Sequence, residues 1–110
     1  MKVDYNREYF HGKTAVITGG TSGVGLALAE ELLESNAAKV VIAARNMENL
    51  KEQEKKLQNQ YGYRIKGIQC DVTVEKDVKK LIAESSAFFG GQFDLLFNNL
   101  RSRKIITWKY

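Results

Sequence analysis

A chain of 110 residues, 44% hydrophobic and 27% charged, has room for one small domain with a core, and its composition excludes a disordered or collagen-like polypeptide. The formal charge of +4 sits in Arg101, Arg103, Lys104 and Lys109; the first 100 residues balance 13 basic against 13 acidic groups, so no basic nucleic-acid face is indicated. A single cysteine excludes an internal disulfide, no apolar run approaches the roughly 18 residues that span a bilayer, and residues 1–8 are too polar for a signal peptide, so a cytoplasmic protein is expected.

Residues 1–11 read as a polar lead-in in which Tyr5, Tyr9 and Phe10 are available to pack on the domain edge and His11 is a lone imidazole at its boundary. The run Thr14-Ala15-Val16-Ile17-Thr18 predicts a first strand. After the turn Gly19-Gly20-Thr21-Ser22, a helix is expected over 24–35, with Leu28, Ala29, Leu32 and Leu33 inward and Glu30, Glu31 and Glu34 outward. The β-branched run 39–43 predicts a second strand covered on both faces. A helix follows over 47–61, capped by Asn46, striped by Met47, Leu50, Leu57 and Tyr61, and stopped by Gly62. A third strand over 64–69 leads into Cys70-Asp71-Val72, where Cys70 suits a small buried hydrophobe better than a reactive thiol. Thr73 is positioned to cap a third helix, 74–89, with Val74, Val78, Leu81 and Ile82 inward, and a fourth strand, 93–98, follows Gly90-Gly91.

Strands alternating with helices through short connections predict an α/β, doubly wound parallel sheet. With strand order 3-2-1-4, right-handed crossovers place the first two helices on one face and the third on the other, and the loop after strand 1 falls where the order reverses. That loop, Thr18 to Gly25, is either a plain strand-to-helix turn or a phosphate cradle. Its glycines let backbone approach a pyrophosphate, and the helix it opens offers unpaired N–H groups at the positive end of the dipole. The second strand ends Ala43-Ala44-Arg45-Asn46, lacking the carboxylate that holds a ribose hydroxyl in NAD sites. Arg45 is either an exposed residue at a helix start or a guanidinium for a 2′-phosphate, which favours NADP(H) over NAD(H).

These motifs resemble the N-terminal half of a classical short-chain dehydrogenase/reductase. Thr18-Gly19, Gly23, Val24 and Gly25 match the family's Thr-Gly-x-x-x-Gly-x-Gly loop, Asp71-Val72 its adenine-contacting pair, and Asp94-Leu95-Leu96-Phe97-Asn98-Asn99 its Asp-x-Leu-x-Asn-Asn strand. The resemblance implies a partial Rossmann-type fold and a dinucleotide site drawn from Thr18, Gly19, Thr21, Ser22, Gly23, Val24, Gly25, Arg45, Asp71, Val72 and Asn98, with no metal. Ser22 stands where some NADP-preferring members carry a second basic residue. The family moves hydride between a nicotinamide cofactor and an alcohol or carbonyl, using a Tyr-x-x-x-Lys pair on a later helix.

The chain departs from that pattern after Asn99, reading Leu100-Arg101 where the family has Ala-Gly. Its one Tyr-x-x-x-Lys string, Tyr9 to Lys13, contains a glycine and precedes the first strand, so it cannot form one helical face. The expected organisation is a lead-in (1–11), a dinucleotide-binding half domain (12–99) and a divergent basic tail (100–110). The tail points to a truncated product, with a basic-apolar anchor as the rival reading. The polypeptide is expected to bind cofactor without turnover by itself, the alternatives being a non-catalytic interaction module or a folding-defective remnant. Self-association through an unpaired fourth strand is also expected.

Overall fold

The computed structural model describes residues 7–21 and 23–98. A short 3-10 helix, Arg7–Phe10, precedes β1 (Thr14–Thr18), α1 (Gly23–Glu34), β2 (Lys39–Ala44), α2 (Met47–Tyr61), β3 (Ile65–Gln69), α3 (Glu75–Phe88) and β4 (Leu95–Asn98). The strands form one parallel sheet, as the alternation of elements predicted, in the order β3-β2-β1-β4 expected of the doubly wound fold. Ala15 lies opposite Val40 and Leu95, and Ile17 opposite Ile42 and Phe97.

The period of two divides each strand between two cores. Ala15, Ile17, Val40, Ile42 and Ile65 pack under α1 and α2 against Ala29, Leu32, Leu33, Leu50 and Leu57. Val16, Val41, Ala43, Ile68 and Cys70 pack on the opposite face against Val78, Leu81 and Phe89. Two helices on one side and one on the other is the arrangement that right-handed crossovers require. Full burial of β1 and of Val40 to Ala43 explains why these strands are continuous apolar runs rather than alternating ones.

Local chemistry sets the helix ends. Asn46 caps α2 by accepting the Asn49 N–H at 3.0 Å, and Gly62, at φ 79°, closes it with an N–H to the Gln58 carbonyl. α1 ends on Asn36, at φ 62°, with the Ala37 N–H on the Leu32 carbonyl and the Asn36 N–H on the Leu33 carbonyl. Neither α1, α2 nor α3 carries a basic residue in its last turn. Other elements supply the cations. The Arg64 guanidinium donates to the Leu33 and Ala37 carbonyls at 3.2 and 2.7 Å and to Tyr61 at 3.4 Å, and Lys39 Nζ donates to the Phe88 carbonyl at 2.7 Å.

Four expectations shift. Thr73 does not cap α3: its N–H and hydroxyl both turn back to Asp71 Oδ1, and Val74 occupies the cap position without a side-chain bond. Val74 and Met47, each first or just before the first residue of a helix, are 42% and 41% exposed, so the buried faces begin at Val78 and Leu50. Leu28 is half-buried while Gly25 is buried, rotating α1's inner face toward the glycine loop. β4 begins at Leu95, not 93, because Asp94 is tied to Thr14 by its side chain rather than by a strand ladder. On α2 the inward position between Leu50 and Leu57 is Glu54, which is tolerated because its carboxylate accepts the Gly67 N–H of the outer strand β3. A Cβ at Gly67 would lie 3.0 Å from Leu50 Cγ, so glycine also makes room for α2.

Cys70 is buried, and burial together with the nearby Asp77 and Asp71 charges pushes its thiol up to about 11, the behaviour of a small core residue. Among the described residues no helix is long and apolar enough to cross a membrane.

Candidate cofactor site

Because all four strands are parallel, their C-terminal ends meet at one rim, and β1 sits between β2 and β4, where the strand order reverses. The chain leaves β1 there and leans over the end of β2: the Gly19 and Gly20 N–H groups both reach the Ala43 carbonyl, at 2.8 and 3.4 Å. Gly19 (φ 68°) and Gly23 (φ 41°) take backbone conformations that side chains disfavour. Gly20 is required for a different reason, since a Cβ on it would lie 2.7 Å from Ile42 Cβ and Cγ2. Gly20 was absent from the sequence-derived site; the doubled glycine was the available signal, but the collision depends on a residue 22 positions away.

The helix that the loop opens differs from its neighbours. α2 carries Glu48 in its first turn and α3 carries Glu75 and Asp77, whereas α1 has no acidic residue there. Nothing of this chain's own charge neutralises α1's opening N–H groups in that turn, and Val24 within it is 71% exposed. Thr21 is half-buried beside this turn; Ser22 lies outside the described residues.

The flanking strand ends supply the remaining side chains. On one side Thr18 Oγ1 donates to Asn98 Oδ1 at 2.8 Å, joining the ends of β1 and β4. On the other, Arg45 is exposed just past β2, its carbonyl accepting Gln69 Nε2 at 3.1 Å. Asp71 follows β3, with its N–H on Asp77 Oδ2 at 3.0 Å and its Oδ1 accepting the Thr73 hydroxyl (2.6 Å) and N–H (3.0 Å). The two Thr73 bonds, helped by the Arg45 charge nearby, hold the Asp71 carboxyl below its usual range against the opposing effect of desolvation. Val72, half-buried, packs onto the α3-side core.

The rim therefore gathers Thr18, Gly19, Thr21, Gly23, Val24, Gly25, Arg45, Asp71, Val72 and Asn98 around the reversal of strand order. The donor set suits a phosphate-bearing group: glycines where side chains would intrude, a helix first turn without an acidic residue and an exposed guanidinium. Among the described residues no cluster of His, Cys, Asp and Glu could hold a metal. Two sequence features go elsewhere. Tyr9 and Lys13 precede β1 at the opposite rim, with Lys13 Nζ 5.4 Å from the Tyr9 ring centroid. Asp94, part of the fourth-strand motif, is also at that rim. Its Oδ2 accepts the Thr14 N–H (2.9 Å), the Thr14 hydroxyl (3.3 Å) and Gln92 Nε2 (2.6 Å), bonds that keep its carboxyl below the usual range. Asn99 and the tail 100–110 lie outside the described residues.

Known proteins resemble this chain in both sequence and fold. A tropinone reductase homologue of Arabidopsis thaliana is 40% identical over 92 residues, covering 81% of this chain and 33% of the relative. A dehydrogenase/reductase SDR family member 4 of Caenorhabditis elegans is 38% identical over 94 residues, covering 86% and 35%. Among solved structures, L-sorbose reductase of Gluconobacter frateurii, complexed with NADPH and L-sorbose, superposes with a TM-score of 0.77 at 34% identity, covering 89% of this chain and 36% of that one. An NAD+-bound xylitol dehydrogenase superposes with a TM-score of 0.75 at 32% identity, covering 83% and 34%. The chain thus spans about a third of the length of these relatives. With residues 13–101 matching the short chain dehydrogenase family and with the parallel 3-2-1-4 sheet in place, the chain belongs to the short-chain dehydrogenase/reductase family of oxidoreductases.

Proposed function

We propose that residues 12–99 are the cofactor-holding half domain of a short-chain oxidoreductase and that they prefer NADP(H). The observation that carries this reading is the convergence, at the reversal of strand order, of a glycine-rich loop, an α1 first turn without an acidic residue and the exposed Arg45. In this reading the loop and the first turn of α1 hold the pyrophosphate, Asp71 and Val72 flank the adenine, Arg45 takes the 2′-phosphate, and Thr18 steadies Asn98 on the nicotinamide side. Bound there, the cofactor supplies hydride exchange between nicotinamide C4 and an alcohol or carbonyl carbon. Related structures hold either NADPH or NAD+, so the preference rests on Arg45 alone.

The polypeptide by itself is read as binding without turnover, because its one Tyr-x-x-x-Lys string, Tyr9 to Lys13, lies at the far rim from the loop. Self-association is part of the same reading. Leu95, Leu96 and Phe97 of the outer strand β4 are only half-buried, beside a cavity of about 480 Å³ lined by Ile82, Ser86, Phe93, Asp94 and Leu96. That is a surface for a second copy.

Fluorescence titration with NADPH and NADH tests the cofactor assignment. Saturable binding of NADPH ahead of NADH is expected, and Arg45→Asp should weaken NADPH by about 10- to 100-fold, the worth of a charge-assisted contact. Equal affinities that Arg45→Asp leaves unchanged would remove the preference, and oxidation of NADPH by a panel of ketones would refute the absence of turnover.

A further inference from the structure

We propose that Gln69 is a positioning residue for 2′-phosphate discrimination: its side-chain amide holds the Arg45 peptide, and so the origin of the Arg45 side chain, at the cofactor rim. The proposal rests on the reading of Arg45 given above and adds the residue through which that reading would be tuned.

The β2–β3 ladder ends with Ala44 opposite Gln69, and its final backbone bond runs from the Cys70 N–H to the Ala44 carbonyl at 3.0 Å. The next carbonyl, that of Arg45, has no strand partner left. Gln69 Nε2 supplies one at 3.1 Å, extending the ladder by one bond beyond the sheet. Immediately after, Asn46 becomes the N-cap of α2, with its side chain on the Asn49 N–H and its carbonyl accepting the Leu50 N–H at 3.0 Å. Arg45 is therefore a single residue between two fixed points. Its side chain is exposed and lies near enough to Asp71 to feel that carboxylate, and the backbone beneath it sets where the guanidinium starts.

Gln69 is itself exposed at a strand end and contributes to neither core. Removing its amide leaves the last ladder bond and the helix cap in place, so the fold should persist while the Arg45 peptide gains freedom. A contact that is not held in position pays ordering entropy on binding, and only a ligand that uses Arg45 feels the loss. NADPH carries the 2′-phosphate and NADH does not, so the effect of Gln69 should fall on one cofactor.

The test is direct titration of the full chain with each dinucleotide, for wild type, Gln69→Leu, Arg45→Leu and the double variant, with Gln69→Asn as a milder shortening should Gln69→Leu lower the melting temperature. The expected result is a NADPH dissociation constant raised about threefold to tenfold by Gln69→Leu, with NADH within about twofold and no further loss when Gln69→Leu is added to Arg45→Leu. Unchanged NADPH affinity, equal weakening of both cofactors, or an undiminished effect in the Arg45→Leu background overturns the role of Gln69 while leaving the NADP(H) reading intact. If Arg45→Leu itself leaves the NADPH-to-NADH ratio at the wild-type value, the reading of Arg45 fails and takes this inference with it.

Discussion

The two rims of the sheet are built from opposite materials. At the N-terminal rim, Thr14 bonds to Gln92 and Asp94 across about 80 positions of sequence, and Gln92 donates to Asp94 and to the Gly12 carbonyl. At the C-terminal rim the chain turns on glycines, the first turn of α1 carries no counter-charge, and Arg45 and Val24 are exposed. The first rim meets its polar groups internally. The second has no acidic residue at the opening turn of α1, and in the proposed reading an anionic ligand supplies the charge that turn lacks.

Three substitutions probe that contrast. The largest effect is expected from Gly20→Ala, whose Cβ meets the backbone-anchored Ile42 side chain at 2.7 Å. It should cost about 1–3 kcal/mol and also weaken dinucleotide binding tenfold or more, since the loop must lift from β2. Chemical denaturation and titration on the same sample check both. Asp94→Ala should cost a similar or slightly smaller amount, about 1–2 kcal/mol, because the buried Thr14 N–H loses its acceptor. Here the affinity for either cofactor should stay within twofold; a parallel loss of affinity would show that the rims are not independent. The smallest effect is the most telling. Val24→Glu places a carboxylate in the one first turn that lacks it, which should raise stability by about 0.3–1 kcal/mol while reducing NADPH affinity. Gains in both would contradict a phosphate at α1.

The alternation of elements and the buried helix faces were legible because they depend on periodicity, which operates within a few residues; the strand order came with the doubly wound class, and crossover handedness then assigned each helix its side of the sheet. The loop, Arg45 and Asp71 could be marked for the same reason: each sits at a fixed offset from a strand end. What escaped depends on distant neighbours. Gly20 needs Ile42, and the late start of β4 needs Thr14 to claim Asp94. Gln69 matters only once β3 is laid beside β2. Thr73 failed as a cap for a local reason, since Asp71 offered a carboxylate two residues back and won the hydroxyl.

Arg64 and Lys39, placed on the carbonyl ends of the helices, have an effect at long range. With Arg64 against α1 and α2 and Lys39 against α3, every negative pole of the helical layer faces a cation, and Glu48, Glu75 and Asp77 temper the positive poles of α2 and α3. Among the described residues the first turn of α1 alone of the three helices carries no acidic residue, on a body whose first 100 residues carry no net charge. The net charge of the chain lies in residues 101–109, so within the first 100 residues the opening turn of α1 is a local feature on a neutral background. In the proposed cofactor reading, encounter with a phosphate-bearing ligand is guided to the glycine loop, and the guidance fades as salt shortens the reach of charge.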